Sequence, residues 1–269
     1  IKVIYTAHGF HFYKGAPIKN WLIYYPIEKW LSKYTDVLIT INQEDFKRAK
    51  KSFNSKFIEY VPGVGINVAK FKNIDVDKMK KRQELGLPAE AFVILSVGEL
   101  NINKNHETII KALARLKIQD LYYVICGEGN HRKNIENLIE KYGLKSQVKL
   151  LGFRYDVNEI YNIVDVFVFP SFREGLPVSL MEAMVMGLPV VCSNIRGNND
   201  LIKDGLGGYL VKPNDIEGFA QSIEKLYMSA NNRKIFGENN EREVKKFYSE
   251  KVLEKLENIY LRYSGNSEI

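Results

Sequence analysis

Residues 164–194 read VDVFVFPSFREGLPVSLMEAMVMGLPVVCSN, and this stretch decides the fold. An apolar run ends at Phe169, Pro170 interrupts it, and a helical pattern begins near Pro177, a residue that is pre-organised for the first helical position. The helix stops at Gly187, and a second apolar run follows. Strand, helix and strand in this order predict a βαβ unit of a parallel sheet.

The same alternation of apolar runs and amphipathic helices continues through most of the chain, which is typical of a doubly wound parallel sheet. The predicted strands cover residues 2–6, 37–40, 57–60, 92–97, 121–126, 148–151, 166–169, 189–193 and 208–211. The predicted helices cover residues 19–33, 43–53, 76–85, 105–117, 131–142, 156–162, 177–186, 216–228 and 250–263.

The segment VPGVGINVAKF, residues 61–71, has little periodicity and is interpreted as the connection between two domains. Residues 92–228 hold six predicted strands, enough for one Rossmann-like unit, whereas only three strands precede the connection. Because the chain opens with Ile1 directly in a strand pattern, we expect it to be a fragment whose first domain is incomplete.

Composition restricts the class of protein. The net charge is +7, and residues 1–66 hold ten basic and five acidic residues. Such a surplus suits an anionic membrane or a phosphorylated substrate as well as an ordinary solvated surface, and no motif favours nucleic acid. The two cysteines, Cys126 and Cys192, lie in predicted buried strands without metal-ligand spacing, which favours a cytoplasmic location.

The loop after Phe169 is the candidate site. In open parallel sheets ligands bind beyond the carboxyl ends of strands, and a helix start there presents free N–H groups that suit a diphosphate. Gly175 lets the backbone approach a ligand, and Glu174 and Glu182 can face one crevice at different depths.

These residues carry a resemblance. Glu174 and Glu182 form an E-x7-E pattern, and the EGLP loop, EAM helix and GLPVV strand follow in one order, so that the stretch resembles glycosyltransferase family 4. The resemblance implies the retaining GT-B class, an α/β fold of two Rossmann-like domains. Residues 1–66 would be the remnant of the N-terminal acceptor-binding domain, helix 250–263 would pack back on it, and residues 67–245 would bind the nucleotide sugar.

The resemblance also implies residue roles in the loop. Glu182 would hold the ribose hydroxyls and Glu174 the donor sugar, as a catalytic group near the reacting carbon. The backbone of Gly175, Leu176 and Pro177 would lie along the sugar and the diphosphate.

A second motif, SVGELNINKNHETII, follows an apolar strand, where Gly98 and Lys104 match the family pattern. The family usually has an arginine where this chain has Glu99, so Lys104 would carry more of the diphosphate charge, or Arg173 would assist. Lys104 is therefore predicted to bind the donor and to take part in catalysis.

Two weaker motifs complete the donor side. Gly127 in ICGEGN resembles the family's nucleoside-side turn, although a tight turn explains it equally simply. The segment LLGFRYD, which includes Phe153 and Arg154, matches the loop whose backbone meets the base. Arg154 would stack on that base or serve as an ordinary surface arginine of the turn. In SNIRGNNDLIKDG, Asn198 or Asn199 is predicted to cap a helix.

The N-terminal region contributes one catalytic candidate and one surface. His8 follows the first strand, where a family histidine reaches the donor sugar, and His11 is a weaker candidate. Residues 18–34 interleave tryptophan and tyrosine with Lys19, Lys29 and Lys33, a pattern that fits an anionic membrane surface, although such a stripe more often belongs to a core helix.

The predicted function is retaining transfer of a sugar from a nucleotide sugar, with UDP favoured, to a saccharide or lipid-linked acceptor in polysaccharide biosynthesis. No metal and no resident cofactor are implied. The alternatives are a non-catalytic sugar-nucleotide-binding fragment and a GT-B-type 2-epimerase. A metal-dependent GT-A enzyme is disfavoured because its Asp-x-Asp pattern occurs only in residues 75–77, where no strand precedes it.

Overall fold

The computed structural model describes residues 1–72 and 74–264. Each predicted strand is present, with ends within two residues of the prediction. The strands are β1 (Ile4–Ala7), β2 (Val37–Thr40), β3 (Phe57–Tyr60), β4 (Phe92–Val97), β5 (Leu121–Cys126), β6 (Val148–Gly152), β7 (Val166–Phe169), β8 (Val190–Ser193) and β9 (Gly208–Val211).

The nine predicted helices are also confirmed, and three further helices, α3, α9 and α11, were not bounded by the pattern. The helices are α1 (Ile18–Leu31), α2 (Gln43–Ser52), α3 (Ala69–Lys72), α4 (Lys78–Glu84), α5 (His106–Leu116), α6 (Arg132–Lys141), α7 (Val157–Tyr161), α8 (Val178–Val185), α9 (Asn198–Leu201), α10 (Ile216–Met228), α11 (Ala230–Glu243) and α12 (Ser249–Ser264). Short 3₁₀ turns cover Ser32–Tyr34, Ile102–Lys104 and Val244–Phe247.

Helix α11 lacks an apolar stripe and is held by polar and close backbone contacts. The Asn240 amide donates to the carbonyls of Leu188 and Gly207 at 2.8 and 2.7 Å. A Cβ at Gly237 would overlap the Gly187 carbonyl, so the helix lies directly on that turn. Its stability therefore depends on tertiary contacts that hydrophobic periodicity does not register.

Helix α9 corrects one prediction. Neither Asn198 nor Asn199 is its cap, since Gly197 holds that position with φ of 82°. Asn198 is the first helical residue, fully buried, and its amide donates to the Ser193 carbonyl at 3.0 Å. The asparagine therefore ties the helix to the end of β8.

The chain groups into two compact units. The first contains Ile1–Asn67, Glu174–Pro177 and the chain from Lys245 on, and the second contains Val68–Arg173 and Val178–Val244. In the first unit, β1, β2 and β3 form a parallel sheet in that order. One face of this sheet packs on α12, where Val252 and Ile259 join a buried cluster with β2.

The second unit is a six-stranded parallel sheet with the order β6-β5-β4-β7-β8-β9. Its central strands are continuous runs of buried residues, which is expected when helices cover both faces. Strand order reverses between β4 and β7, and this topological switch point is where a ligand crevice is expected. Of the described helices, none is long and apolar enough to cross a membrane.

Candidate active site

The carboxyl ends of β4 and β7 bring together Gly98, Lys104 and Phe169. The Lys104 side chain runs beside Gly98, where an added Cβ would lie 3.2 Å from Cε. Its ammonium nitrogen lies 4.8 Å from the centre of the Phe169 ring. A cation–π contact of this kind places the lysine charge at the switch point.

Asparagines that the sequence analysis did not single out join the two loops of the crevice. The Phe172 amide donates to the Asn103 carbonyl at 2.8 Å, and the Asn103 side chain donates to the Arg173 carbonyl at 3.0 Å. Asn105, in a left-handed conformation with φ of 55°, donates to the Pro170 carbonyl at 3.0 Å. The loop after β4 and the loop after β7 therefore form one hydrogen-bonded structure.

Gly175 meets the N-terminal segment rather than open space. Within the first unit, a Cβ on Gly175 would overlap the carbonyl oxygen of His8. The structure therefore brings together the EGLP loop and His8, two sites predicted from separate motifs. The immediate reason for glycine here is the approach of the His8 backbone.

Glu182 lies on α8, largely buried, and a tyrosine fixes it. The Tyr161 hydroxyl lies 3.1 Å from Glu182 Oε2 and 3.0 Å from the Ser179 carbonyl oxygen, and its single proton is shared between these two acceptors. Burial raises the pKa of Glu182, although the hydrogen bond from Tyr161 acts in the opposite direction. One carboxylate oxygen is thus oriented by the protein.

Gly127 is required by packing at the strand ends. Its φ is 151°, and a Cβ there would overlap the Gly98 carbonyl oxygen. The Gly127 amide donates to the Gly152 carbonyl at 2.8 Å. These contacts favour the tight-turn interpretation, and a donor-binding role for Gly127 stays a prediction.

Arg154 belongs to an ion-pair network. Its guanidinium donates to Asp156 at 2.7 Å and to Glu84 at 2.9 Å. Lys81, only 9% exposed, pairs with the same two carboxylates and with Glu159. These contacts favour the structural alternative for Arg154 over stacking on a base.

Two side chains near the crevice rim are open to solvent. Phe153 is 66% exposed and packs edge-to-face against Tyr155 with ring centres 5.0 Å apart. The exposed carboxylate of Glu99, where the family usually has arginine, accepts a hydrogen bond from the Asn101 side chain at 2.9 Å. Asn101 thus provides a hydrogen-bond donor to one oxygen of the Glu99 carboxylate, which stands where the resemblance predicts an arginine.

The Asp-x-Asp triplet has a structural explanation. Asp77 is the N-cap of α4, where its side chain accepts a hydrogen bond from the Lys80 amide at 3.0 Å. The triplet precedes a helix rather than following a strand, as the sequence predicted.

The family model described as glycosyl transferases group 1 matches residues 77–243, more than half of the chain. The chain belongs to the glycosyl transferases group 1 family. The matched segment of this glycosyltransferase contains Lys104, Glu174 and Glu182. The predicted enzyme class, a transferase of glycosyl groups, is therefore confirmed.

Curated relatives agree with this family. The chain is 39% identical over 266 residues to the putative glycosyltransferase EpsD of Bacillus subtilis, which covers 97% of this chain and 70% of EpsD. It is 33% identical to the UDP-Gal:alpha-D-GlcNAc-diphosphoundecaprenol alpha-1,3-galactosyltransferase of Escherichia coli, over 83% of this chain and 59% of that protein. The glycosyltransferase chain thus spans only part of each relative's length.

Solved structures show the fold. HepE of Anabaena in complex with UDP and glucose superposes with a TM-score of 0.86 at 20% identity, over 97% of this chain and 72% of HepE. Sucrose-phosphate synthase of Thermosynechococcus elongatus gives 0.84 at 22% identity, over 98% and 68%. The predicted α/β fold of GT-B type is confirmed. The individual residue roles stay predictions.

Proposed function

We propose that this glycosyltransferase transfers a sugar from a UDP-sugar to a saccharide or lipid-linked acceptor in polysaccharide biosynthesis, with retention of the anomeric configuration. The observation that carries the proposal is the joined pair of loops at the β4–β7 switch point. There a partly buried lysine and the start of α8 flank one crevice.

The nucleotide side of the proposal rests on Glu182. Its carboxylate, oriented by Tyr161, suits the paired hydroxyls of a ribose, because an ionised carboxylate accepts strong hydrogen bonds from them. Phe153 and its neighbouring backbone are assigned to the base. UDP is favoured because UDP appears in the name of the Escherichia coli relative and in the HepE complex.

The diphosphate is assigned to Lys104 and to the N-terminus of α8, with Gly98 leaving room for the lysine chain. In this proposal Lys104 supplies the positive charge that a metal would otherwise provide, and no metal or resident cofactor takes part. Such a fixed charge stabilises the leaving group as negative charge develops on it.

The proposed reaction is a front-face substitution. The bond between the anomeric carbon and the diphosphate oxygen breaks with its electron pair on the diphosphate. The acceptor hydroxyl oxygen bonds to the anomeric carbon from the same face, and its proton passes to the departing diphosphate. Glu174 and His8 are assigned to the donor sugar, consistent with the contact between the EGLP loop and His8.

The acceptor side points to a lipid. The Escherichia coli relative is named for a diphosphoundecaprenol acceptor. In this chain α1 contacts its core through Trp21 and Tyr25, while most of its other apolar side chains are exposed. We assign this surface to the inner face of an anionic membrane, in a cytoplasmic enzyme. The exposed apolar and aromatic residues of α1 are Ile18, Leu22, Ile23, Tyr24, Ile27, Trp30 and Leu31.

Charge around α1 supports that assignment. Lys14, Lys19, Lys29 and Lys33 are all exposed, whereas the acid of this segment, Glu28, is half-buried and accepts a hydrogen bond from the Tyr5 hydroxyl. A basic rim around apolar side chains is the arrangement that binds anionic lipid surfaces.

Vesicle sedimentation of the full chain tests the membrane assignment. Changing Ile23 and Ile27 to glutamate should release the protein from anionic vesicles, while Leu253→Glu, an exposed apolar position on α12, should not. Substituting the three lysines 19, 29 and 33 by glutamate should have the same effect as the isoleucine changes. Unchanged binding of either variant would rule out the assignment.

Calorimetric titration of the full chain with UDP and GDP, with EDTA present, tests the donor site. Tight UDP binding that Glu182→Ala weakens supports the proposal. Transfer to a lipid-linked acceptor, followed by NMR of the product anomer, then separates a retaining transferase from both alternatives. A 2-epimerase would convert the UDP-sugar itself, and a binding fragment would leave it intact.

A further inference from the structure

A buried chain of three side chains runs beneath the proposed diphosphate site. Ser96 Oγ on β4 donates to the Val168 carbonyl at 2.6 Å and lies 2.8 Å from the hydroxyl of Tyr123 on β5. That hydroxyl is 3.1 Å from Nδ1 of His106, which is the first residue of α5. The other ring nitrogen of His106, Nε2, lies 3.4 Å from the Glu99 carbonyl oxygen. The three side chains are at least 97% buried.

The three side chains supply three protons for four contacts, and taking the shortest contact, from Ser96 to Val168, as the first bond sets the direction of the others. The single hydroxyl proton of Ser96 goes to the Val168 carbonyl, so Tyr123 donates to Ser96. The Tyr123 proton is then used, so His106 Nδ1–H donates to Tyr123. A neutral His106 has no second proton, so with this assignment the longest contact, 3.4 Å from Nε2 to the Glu99 carbonyl oxygen, is the one without a proton.

The environment keeps His106 neutral. Burial is the largest cause that lowers its pKa to about 4; Lys104 and His131 act in the same direction, whereas the Glu99 carbonyl acts in the opposite direction. Burial also raises the pKa of the Tyr123 hydroxyl, so that it keeps its proton. The direction of the chain is therefore constant over the neutral pH range.

This hydrogen-bonded series of side chains connects the start of α5 to β7, and Lys104 lies close to both elements. His106 is two residues beyond Lys104, and Val168 immediately precedes Phe169, whose ring lies under the lysine ammonium. We infer that Ser96, Tyr123 and His106 are positioning residues that set the location of the Lys104 ammonium over the end of β7. The inference rests on the proposed donor-phosphate role of Lys104.

The tautomer of His106 tests the assigned hydrogen-bond directions without any substrate. ¹⁵N NMR of the histidine-labelled protein should show His106 as the Nδ1–H tautomer. In Ser96→Ala the Tyr123 hydroxyl is free to donate to Nδ1, and His106 should switch to the Nε2–H tautomer, which bonds the Glu99 carbonyl. An Nε2–H or doubly protonated His106 in the unmodified protein at neutral pH would overturn the assignment.

A double-mutant cycle tests the link to Lys104. Tyr123→Phe should lower kcat/KM about tenfold, because a small displacement of a charged group costs transition-state stabilisation. In a Lys104→Met background the same change should cost less than about twofold, because the positioned group is absent. Tyr122→Phe, on the opposite face of β5, is the matched control and should leave kcat/KM unchanged.

The outcomes separate the two proposals. Equal effects of Tyr123→Phe in both backgrounds would overturn the positioning role while leaving the donor site intact. Unchanged kcat/KM on Lys104→Met alone would contradict the proposed function, and the NMR result would still stand on its own. If Tyr123→Phe does not fold, Ser96→Ala enters the same cycle, with circular dichroism melting as the check on folding.

Discussion

Replacing Glu182 by glutamine removes a charge and preserves the shape of the side chain. In the structure Tyr161 donates to one carboxylate oxygen, and the proposed function assigns the other to the ribose. A hydrogen bond to a charged group contributes about 1.5–3 kcal/mol and one to a neutral group about 0.5–1.5 kcal/mol. The difference, about 1–2 kcal/mol, predicts that UDP binds about fivefold to thirtyfold more weakly to the variant at pH 8.

The same substitution should change the pH dependence of binding. Burial raises the pKa of Glu182, so as pH falls this carboxyl takes up a proton sooner than an exposed glutamate and loses its strength as an acceptor. The ratio of UDP dissociation constants, variant over unmodified protein, should therefore approach one as the pH is lowered. The diphosphate also titrates, but it does so equally in both proteins and cancels in the ratio.

The free energy of unfolding of the Glu182→Gln protein provides an independent test of the raised pKa. A carboxyl whose pKa is raised on folding binds more protons in the folded state, so its contribution to the free energy of unfolding falls as pH rises from the unfolded pKa through the folded one. The Glu182→Gln protein should thus be at least as stable at pH 8. Calorimetry at several pH values measures the affinities, with Glu224→Gln, on the exposed side of α10, as the control. A ratio within twofold at pH 8, or one independent of pH, would refute the ribose assignment.

Three further substitutions test other parts of the molecule. Gly175→Ala should lower kcat/KM about a hundredfold in steady-state assays, because the new Cβ displaces the loop from the His8 carbonyl, and normal turnover would contradict that contact. Gly98→Ala should weaken UDP binding in calorimetry by moving the Lys104 chain, and unchanged affinity would mean the lysine adapts. Lys81→Met should reduce the free energy of unfolding by about 3 kcal/mol in urea titrations at pH 7. That loss should shrink in acid as the three carboxylates around it are protonated, and a pH-independent loss would point to packing alone.

Continuous apolar runs made the strands predictable. Residues such as those of β4, FVILSV, are buried on both faces of a parallel sheet and have few other structures open to them. Helix α11 escaped prediction because its burial depends on Gly237 and Asn240, and the partners of these residues lie near positions 187 and 207. Contacts between distant positions leave no periodic trace in the sequence.

The residues of the candidate site also divide into those that local motifs predict and those that only tertiary contacts reveal. Glu174, Glu182, Gly98 and Lys104 stand in local motifs and could be predicted from the resemblance. Tyr161 could not, because its hydroxyl, at the end of α7, meets a carboxylate on α8 that lies 21 positions away in the sequence.

Arg154 shows the converse, because its turn motif suggested a ligand contact, while its guanidinium pairs with Asp156 inside the motif and with Glu84 outside it. Glu84 is 70 positions away and lies on a separate helix. Local sequence therefore identifies which chemistry is present, and tertiary partners decide which side chains are committed to structure.

The asparagines of the NINKN segment, residues 101–105, are also committed to structure by their tertiary partners. Asn103 and Asn105 use their amides to tie the loop after β4 to the carbonyls after β7, and Asn101 holds the Glu99 carboxylate. An arginine at position 99 would bring its own cation to the diphosphate, whereas in the proposed site Lys104 is the cation assigned to it. The asparagine amides add no charge, so they hold the two loops in place without changing the electrostatic field that the charged side chains and the start of α8 produce. The amides therefore contribute rigidity, and the charged groups contribute the attraction for the donor.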